Sequence, residues 1–204
     1  MPVVNQTMEI PIFPLGTVLY PAGRLPLRIF EPRYVVMTRA CISERAVFGV
    51  SLIRAGYEVG KPAIPCDVGC TARILYWQET QADRFTLMAQ GESKFRILQR
   101  KVQPDGLIVA SIELDEPPDP LPVPPRHRAL RDLLTGLMQQ IGAEHFPQPQ
   151  RLDDAAWLGN RLCELLPVEP ERKQLLLEMR DPLAVLAELE QMLQRLREDG
   201  ASLG

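Results

Sequence analysis

The sequence predicts an α+β protein in two parts: a small mixed β-barrel with one inserted helix, followed by a helical bundle. Short apolar runs bounded by glycine and proline fill residues 1–116, whereas apolar residues recur at helical spacing in residues 126–204. Between them lies "PPDPLPVPP", six prolines in nine positions, which can continue neither a helix nor a central strand. We therefore predict a β domain over 1–116, a proline-rich linker over 117–125 and a helical domain over 126–204.

The composition indicates a folded protein and argues against two classes of partner. The chain has 204 residues, 46% of them hydrophobic, and a formal net charge of −3. Because binding phosphates requires a basic face, we expect no nucleic-acid partner. The N-terminus has no basic leader, and no apolar stretch approaches the roughly 20 residues that span a bilayer. We therefore expect no membrane association, a cytoplasmic location and reduced cysteines.

The first part of the β domain reads as three strands and one helix. The strands are "EIPIFPLG" (9–16), "RLPLRIF" (24–30) and "VFGVSLI" (47–53), all bounded by turn residues. A helix is expected to begin at Pro32, a residue suited to the first helical position. Its buried face is predicted from helical spacing to carry Tyr34, Met37, Thr38 and Cys41.

Residues 67–116 are typical of three long antiparallel strands. Apolar residues alternate along them, and "TQAD" (80–83) and "PDG" (104–106) supply the two turns. Gly91 falls inside the middle strand, where it predicts a bulge or bend that lets the sheet curl toward closure.

The C-terminal part is expected to form about four helices. One apolar face comprises Leu130, Leu133, Leu134, Leu137, Met138 and Ile141. Further helices are indicated over 155–166 and around 175–179, and Asp181 followed by Pro182 is an N-cap and first-turn proline for the last one. Its stripe of Leu186, Leu189, Leu193 and Leu196 could mediate self-association, although packing within the chain explains it more simply.

The residues required for catalysis are hard to find in this sequence. "GYEVGKP" (56–62) lacks the spacing and the final Ser/Thr of a phosphate-binding loop. Cys66 and Cys70 have no second pair or histidine nearby, so we expect no metal and no cofactor. His127 and His145 are expected in surface or capping roles, and Ser51 in the core. A hydrolase remains an alternative only if its site is an unrecognised constellation.

The most charged stretch, "RLPLRIFEPRY" (24–34), has two interpretations. A catalytic Glu31 would need a partner carboxylate or histidine, and none is close in sequence. We prefer a strand-to-helix junction formed by Glu31, Pro32 and Arg33, in which Glu31 pairs with an arginine near the helix N-terminus. Leu27, Ile29 and Phe30 are then expected to dock into the barrel. Replacing Glu31 by alanine should cost about 1 kcal/mol of stability.

Several segments, in order, resemble the N-terminal domain of the ATP-dependent protease Lon, in the form found as a small stand-alone bacterial protein. They are "IPIFPLGTVLYPAGRLPLRIFEPRY", "VFGVSLIRAGYEVG", "DVGCTARI" and "AQGESKFRI", with "ERKQLLLEMRDPLAVLAELEQMLQRL" near the C-terminus. The chain departs from the family at "PAG" (21–23), where proline and glycine are often adjacent, and at Lys94, where arginine is common. The resemblance implies a PUA-like pseudo-barrel and a helical bundle.

The resemblance also implies a role in proteolysis without catalysis. It points to a module that recognises unfolded or tagged polypeptides for a protease, or to an adaptor, with full-length Lon as a further candidate partner. We expect an exposed apolar surface beside a sheet edge, where an extended peptide could add backbone hydrogen bonds. The candidate residues are Leu15, Tyr20, Leu25 and Pro26 around the first loop, and Tyr76 and Trp77 on the long hairpin. For either aromatic alone, packing in or on the barrel is the simpler interpretation.

Overall fold

The computed structural model of the chain describes the backbone of residues 7–201 and the side chains of residues 7–196. The chain divides into two compact units, Met1–Pro117 and Pro118–Gly204. The first unit contains the strands and one helix, and the second contains helices. The chain thus has the α+β class and the order of elements that the sequence predicts.

The first unit is a barrel with one helix inserted between its second and third strands. Its strands are β1 (Thr7–Leu15), β2 (Arg24–Ile29), β3 (Phe48–Ala55), β4 (Ile64–Pro65), β5 (Val68–Gln81), β6 (Arg84–Val102) and β7 (Ile108–Leu114), and its helix is α1 (Pro32–Glu44). The order β1-β7-β6-β5-β3 closes because β1 also pairs with β3 in parallel. The three long antiparallel strands and both turns are confirmed as β5, β6 and β7. The two-residue β4 was not predicted.

The bend at Gly91 has a steric cause. The backbone of Tyr20 crosses β6 at this point, and a Cβ on Gly91 would lie only 2.2 Å from the Tyr20 carbonyl oxygen. Gly91 donates its N–H to the Gly23 carbonyl at 2.9 Å and accepts the Ala22 N–H at 2.8 Å. The pairing of β5 with β6 shifts register between Cys70 and Ala72, beside Gly91, as the sequence predicted.

Inward side chains of the strands form the core, and α1 covers part of it. Phe13 stacks on Tyr34 of the helix with ring centroids 4.0 Å apart. All four residues of the predicted buried face of α1 are buried, namely Tyr34, Met37, Thr38 and Cys41. The helix begins at Pro32 and ends at Glu44, and the C-cap residue Arg45, with a left-handed backbone (φ 53°), donates its N–H to the Cys41 carbonyl. Ser51 is buried as expected.

The second unit has four α-helices, in agreement with the prediction. They are α2 (Arg128–Ile141), α3 (Ala155–Leu165), α4 (Pro170–Glu178) and α5 (Pro182–Ala201), with short 3-10 turns at Pro125–His127 and Ala143–His145. Asp154 caps α3 by accepting the N–H groups of Ala156 and Trp157. Asp181 accepts the Leu183 N–H at 2.9 Å, which confirms the predicted cap of α5.

The four leucines of the predicted α5 stripe differ in burial. Leu186 and Leu189 are fully buried within the helical unit, Leu193 is half-buried and Leu196 is exposed. Packing inside the chain therefore accounts for the first half of the stripe. On α2, Leu130, Leu134 and Met138 are buried as predicted, whereas Ile141 is exposed.

Two expectations for this region were wrong. His127 is neither on the surface nor a capping side chain: it is buried, and its Nδ1 lies 2.9 Å from Glu190 Oε1 on α5. The proline run is not a free spacer along its whole length, because Val123 donates to the Asp153 carbonyl at 3.0 Å and Leu121 accepts the Ala155 N–H at 2.8 Å. Apart from Pro117, the run lies in the helical unit.

Candidate functional site

The structure separates the six predicted peptide-binding residues. Leu15, Leu25 and Pro26 line one groove, and Trp77 lines a different cavity that shares no lining residue with it. Tyr20 lines neither of them and is 1% exposed, so its side chain is withdrawn from any ligand in this conformation. The loop that carries Tyr20 instead passes over Gly91 of β6.

The groove lies beside strand β2 and has a volume of about 330 Å³. Apolar side chains dominate its lining, which comprises Phe13, Leu15, Thr17, Leu25, Pro26, Leu27, Arg28, Ile29, Phe30, Glu31, Tyr34, Glu58 and Val59. Phe30 corrects an expectation: it does not dock into the barrel but stands 53% exposed at the groove, while Leu27 and Ile29 are buried as predicted. A half-exposed phenylalanine on an apolar groove is a typical contact for a ligand side chain.

Strand β2 is an edge strand within the described part of the chain, since it pairs with β6 alone. Gly91 of β6 makes backbone hydrogen bonds with Ala22 and Gly23, just before β2 begins. In an antiparallel pair, every second residue along a strand bonds to the partner strand and the residues between point their N–H and C=O groups away from it. Counted from Gly23, the backbone polar groups of Pro26 and Arg28 therefore point away from β6, toward the outer edge of β2. Because proline has no N–H, the outer edge lacks one donor at its centre, which makes it a poor template for another strand.

A loop between β3 and β4 forms the opposite wall of the groove. Glu58 accepts the Gly16 N–H at 2.5 Å, and the Gly60 N–H lies 3.4 Å from Glu31 Oε2. Gly56, the first residue of this loop, and Gly60, within it, have positive φ angles of 100° and 96°, which suit glycine. Between them, Val59 presents an exposed apolar side chain.

The predicted junction lies at the base of the groove. Glu31 is extended (φ −75°, ψ 134°) and precedes Pro32, the first residue of α1, as expected. Its carboxylate accepts from Arg33 Nη2 at 2.8 Å and makes no side-chain cap hydrogen bond to the helix. Arg33 is buried and its Nη1 also donates to the Gly106 carbonyl at 3.3 Å. The junction thus ties α1 to the turn between β6 and β7.

Tyr34 contributes a phenol hydroxyl to the lining of the groove. Burial raises the pKa of Tyr34 to about 12, with Arg33 opposing and Glu31 and Glu58 adding to the rise. The phenol therefore stays protonated at neutral pH. Among the described residues no hydrogen bond to its hydroxyl is found, so this group is available to a ligand.

Tyr76 and Trp77 lie on the far end of the β5–β6 hairpin. Both are exposed, at 61% and 48%, so the simpler expectation that one of them packs in the barrel was wrong. The physical reason is that residues 75–81 of β5 are all exposed, so both faces of this end of the strand are accessible to solvent; a register shift between Ile74 and Tyr76 also interrupts the alternation of side chains. Trp77 contacts Phe85 edge-on at 5.9 Å between centroids, whereas Tyr76 lines no cavity described here.

The described residues hold no group of three or more His, Cys, Asp or Glu side chains that could bind a metal ion. None of the four cysteines, Cys41, Cys66, Cys70 and Cys163, forms a disulfide bond, and Cys66 alone among them is not fully buried. Over the same residues, no helix is both long and apolar enough to cross a membrane.

Phe30, Glu58 and Val59 are among the lining residues of the groove that sequence reasoning missed. Phe30 looked like the last residue of a strand, and no periodicity marks the loop of Glu58 and Val59. The only signal was the pair of glycines around that loop, which indicates a turn but not what it covers.

A comparison with protein families identifies the domain. The model of the ATP-dependent protease La (LON) substrate-binding domain matches residues 9–195, which is nearly the whole chain. The chain belongs to this family. The match spans both the barrel and the helical unit, so the helices are part of the family's domain.

Solved structures agree with this assignment. The crystal structure of a Lon N-terminal domain protein from Xanthomonas campestris is similar with a TM-score of 0.76 and 31% identity, over 90% of this chain and 98% of that one. The N-terminal domain of a Mycobacterium avium complex Lon protease has a TM-score of 0.63 at 19% identity, over 89% of this chain and 96% of that one. The second likeness shows the fold alone.

The curated relatives are longer than this chain. Cereblon from Danio rerio is 27% identical over 124 residues, which are 57% of this chain and 28% of that protein. Lon protease from Anaeromyxobacter dehalogenans is 29% identical over 109 residues, 52% of this chain and 13% of that protein. The matched part of the chain spans less than a third of the length of each of these two relatives.

Proposed function

We propose that this protein is a non-catalytic module that binds polypeptide segments, in substrate recognition or as an adaptor in proteolysis. The observation that carries the proposal is the apolar groove beside β2, with Phe30 and Val59 exposed on its two sides. Membership of the LON substrate-binding domain family supports it. Its partners are unfolded or tagged polypeptides, with a full-length Lon protease as the candidate to receive them.

Side-chain burial, rather than strand addition, supplies the affinity in this proposal. The groove volume of about 330 Å³ accommodates one or two large apolar side chains of an extended segment. Burying such a side chain contributes about 1.5–3 kcal/mol. The missing donor at Pro26 limits the hydrogen bonds that a peptide backbone could make to β2. The Tyr34 hydroxyl offers one compensating hydrogen bond.

The test compares two valines with nearly equal exposure. Val59 in the groove is 58% exposed, and Val102 at the end of β6 is 57% exposed and outside the groove. We would measure binding of a fluorescently labelled, reduced and alkylated model protein by anisotropy. Val59→Asp should raise Kd about ten-fold, because a carboxylate would be buried under the ligand. Val102→Asp should leave Kd within about two-fold of the parent.

Two results would contradict the proposal. One is absence of binding by the parent above an unrelated domain of equal charge. The other is an equal effect of both substitutions, which would mean nonspecific apolar adhesion. Thermal unfolding of both variants checks that the groove is altered and not the fold. A hydrolase alternative is tested on the same samples by following cleavage of the labelled protein with and without ATP.

A further inference from the structure

The second cavity differs from the groove in charge. It lies between the last turn of α1 and strand β5, has a volume of about 260 Å³ and is lined by Cys41, Ile42, Arg45, Ala46, Arg73, Ile74, Leu75 and Trp77. Two charged residues line it, and both are arginines, Arg45 and Arg73. The groove, in contrast, is lined by two carboxylates, Glu31 and Glu58, and one arginine, Arg28. A ligand that suits one surface therefore differs in charge from a ligand that suits the other.

The two arginines have different surroundings. Arg73 donates from Nε and Nη2 to the Glu92 carboxylate and from Nη1 to the Arg45 carbonyl, so its guanidinium is already occupied. The hydrogen bond to Glu92 raises the pKa of Arg73 further. Arg45 is exposed, and its guanidinium makes no hydrogen bond or ion pair within the described part of the chain. Its sequence neighbour Glu44 forms no ion pair with it there and does not line the cavity.

The rest of the cavity is apolar. Ile42, Ala46, Ile74 and Leu75 contribute aliphatic surface, and Trp77 forms an aromatic wall fixed by its contact with Phe85. Arg39 holds this arrangement from outside: its guanidinium lies 5.1 Å from the Phe85 ring centroid and pairs with Glu79 at 2.7 Å. The cavity thus offers an apolar site with one unpaired cation at its rim.

We infer that this cavity is a second polypeptide contact, which takes a large apolar side chain next to an aspartate or glutamate. The apolar side chain packs against Trp77 and Ile42, and the adjacent carboxylate pairs with Arg45. The inference rests on the proposed function, because it assumes that polypeptide is the ligand. It adds a preference for ligand sequences in which an acidic residue follows or precedes an apolar one. The groove does not explain this preference, because Glu31 and Glu58 in its lining are themselves carboxylates.

The test uses two labelled peptides that differ in one charge. Both are C-terminally amidated and N-terminally labelled decapeptides of Gly and Ser with a central Leu-Glu or Leu-Lys, so the glutamate is the only carboxylate. The parent should bind the Leu-Glu peptide about five-fold more tightly, which corresponds to a half-exposed ion pair. Arg45→Glu should reverse the preference and Arg45→Gln should remove it. Arg84→Glu, at an exposed arginine of the same hairpin that does not line the cavity, should keep it.

Tryptophan fluorescence locates the binding. Trp77 is half-exposed and Trp157 is buried, so a water-soluble quencher acts mainly on Trp77. The Leu-Glu peptide should protect Trp77 from the quencher in the parent and in Arg84→Glu. Equal affinity for both peptides, an unchanged preference in folded Arg45→Glu, or binding without protection of Trp77 would overturn the inference. In those cases sensitivity to Val59→Asp still supports the proposed function, whereas failure of the parent to bind any polypeptide overturns both.

Discussion

The sequence indicated the roles of individual residues at the junction but did not identify all of their partners or their burial. The pairing of Glu31 with an arginine was predicted, and the structure identifies that arginine as Arg33. The burial of Arg33 could not be read from the sequence, because an arginine beside a proline at a helix start is most often exposed. The carboxylate therefore compensates a buried charge as well as a helix terminus.

Removing the Glu31 carboxylate should cost more than the sequence suggested. Glu31→Ala would leave the Arg33 guanidinium with its hydrogen bond to the Gly106 carbonyl and its contact with the Tyr34 ring, but without its paired carboxylate. We expect a loss of about 2 kcal/mol in the free energy of unfolding, measured by urea denaturation. Glu44→Ala, an exposed glutamate at the other end of the same helix, is the control and should change it by less than about 0.5 kcal/mol. Equal losses for both variants would argue against the buried pair.

Elements of secondary structure were the best-predicted features of the chain. The strands, α1 and the four later helices follow from alternation, helical spacing and caps, all of which are local signals. The two-residue β4 has no such signal, because two residues show no period. The exposure of both Tyr76 and Trp77 was missed for a related reason: the point at which β5 extends beyond the core is set by the other strands and not by β5 alone.

Two glycines provide a test of the bend in β6. Gly91→Ala would place a Cβ against the Tyr20 backbone, which cannot rotate away, and should cost about 3 kcal/mol or more. Gly136→Ala is the matched control, because Gly136 lies in α2 and an added Cβ would meet no atom within 4 Å. It should stabilise the protein by about 0.5–1 kcal/mol. Urea denaturation measures both, and a tolerated Gly91→Ala would show that the loop of Tyr20 can shift.

At the scale of the whole molecule, the chain divides into two compact units. The apolar clusters around Phe13 and around Phe95 contain only residues of the first unit. The β domain was predicted to end at residue 116, one residue before the end of the first unit at Pro117. Independent folding of the two parts remains a prediction.

We expect a fragment of residues 1–117 to fold by itself. Its barrel is closed by the β1–β3 pairing, so no strand from the second unit is needed. The fragment should show a β-type circular dichroism spectrum and a cooperative thermal transition. A fragment of residues 1–102, which lacks β7, is the control and should not fold, because β7 joins β1 to β6. A gradual, noncooperative melt of the longer fragment would contradict independent folding of the first unit.

The sequence by itself determined the class of the fold, the order of its elements, the bend at Gly91 and the Lon-like family, since these depend on local patterns and on residue order. Only the tertiary structure decided which side chains form a surface. It buried Tyr20 and His127, exposed Phe30, placed Val59 opposite β2 and gathered Arg45 and Trp77 around one cavity. The burial and charge pairing of these particular side chains depend on residues distant in sequence, so the local patterns that predicted the helix faces did not predict them.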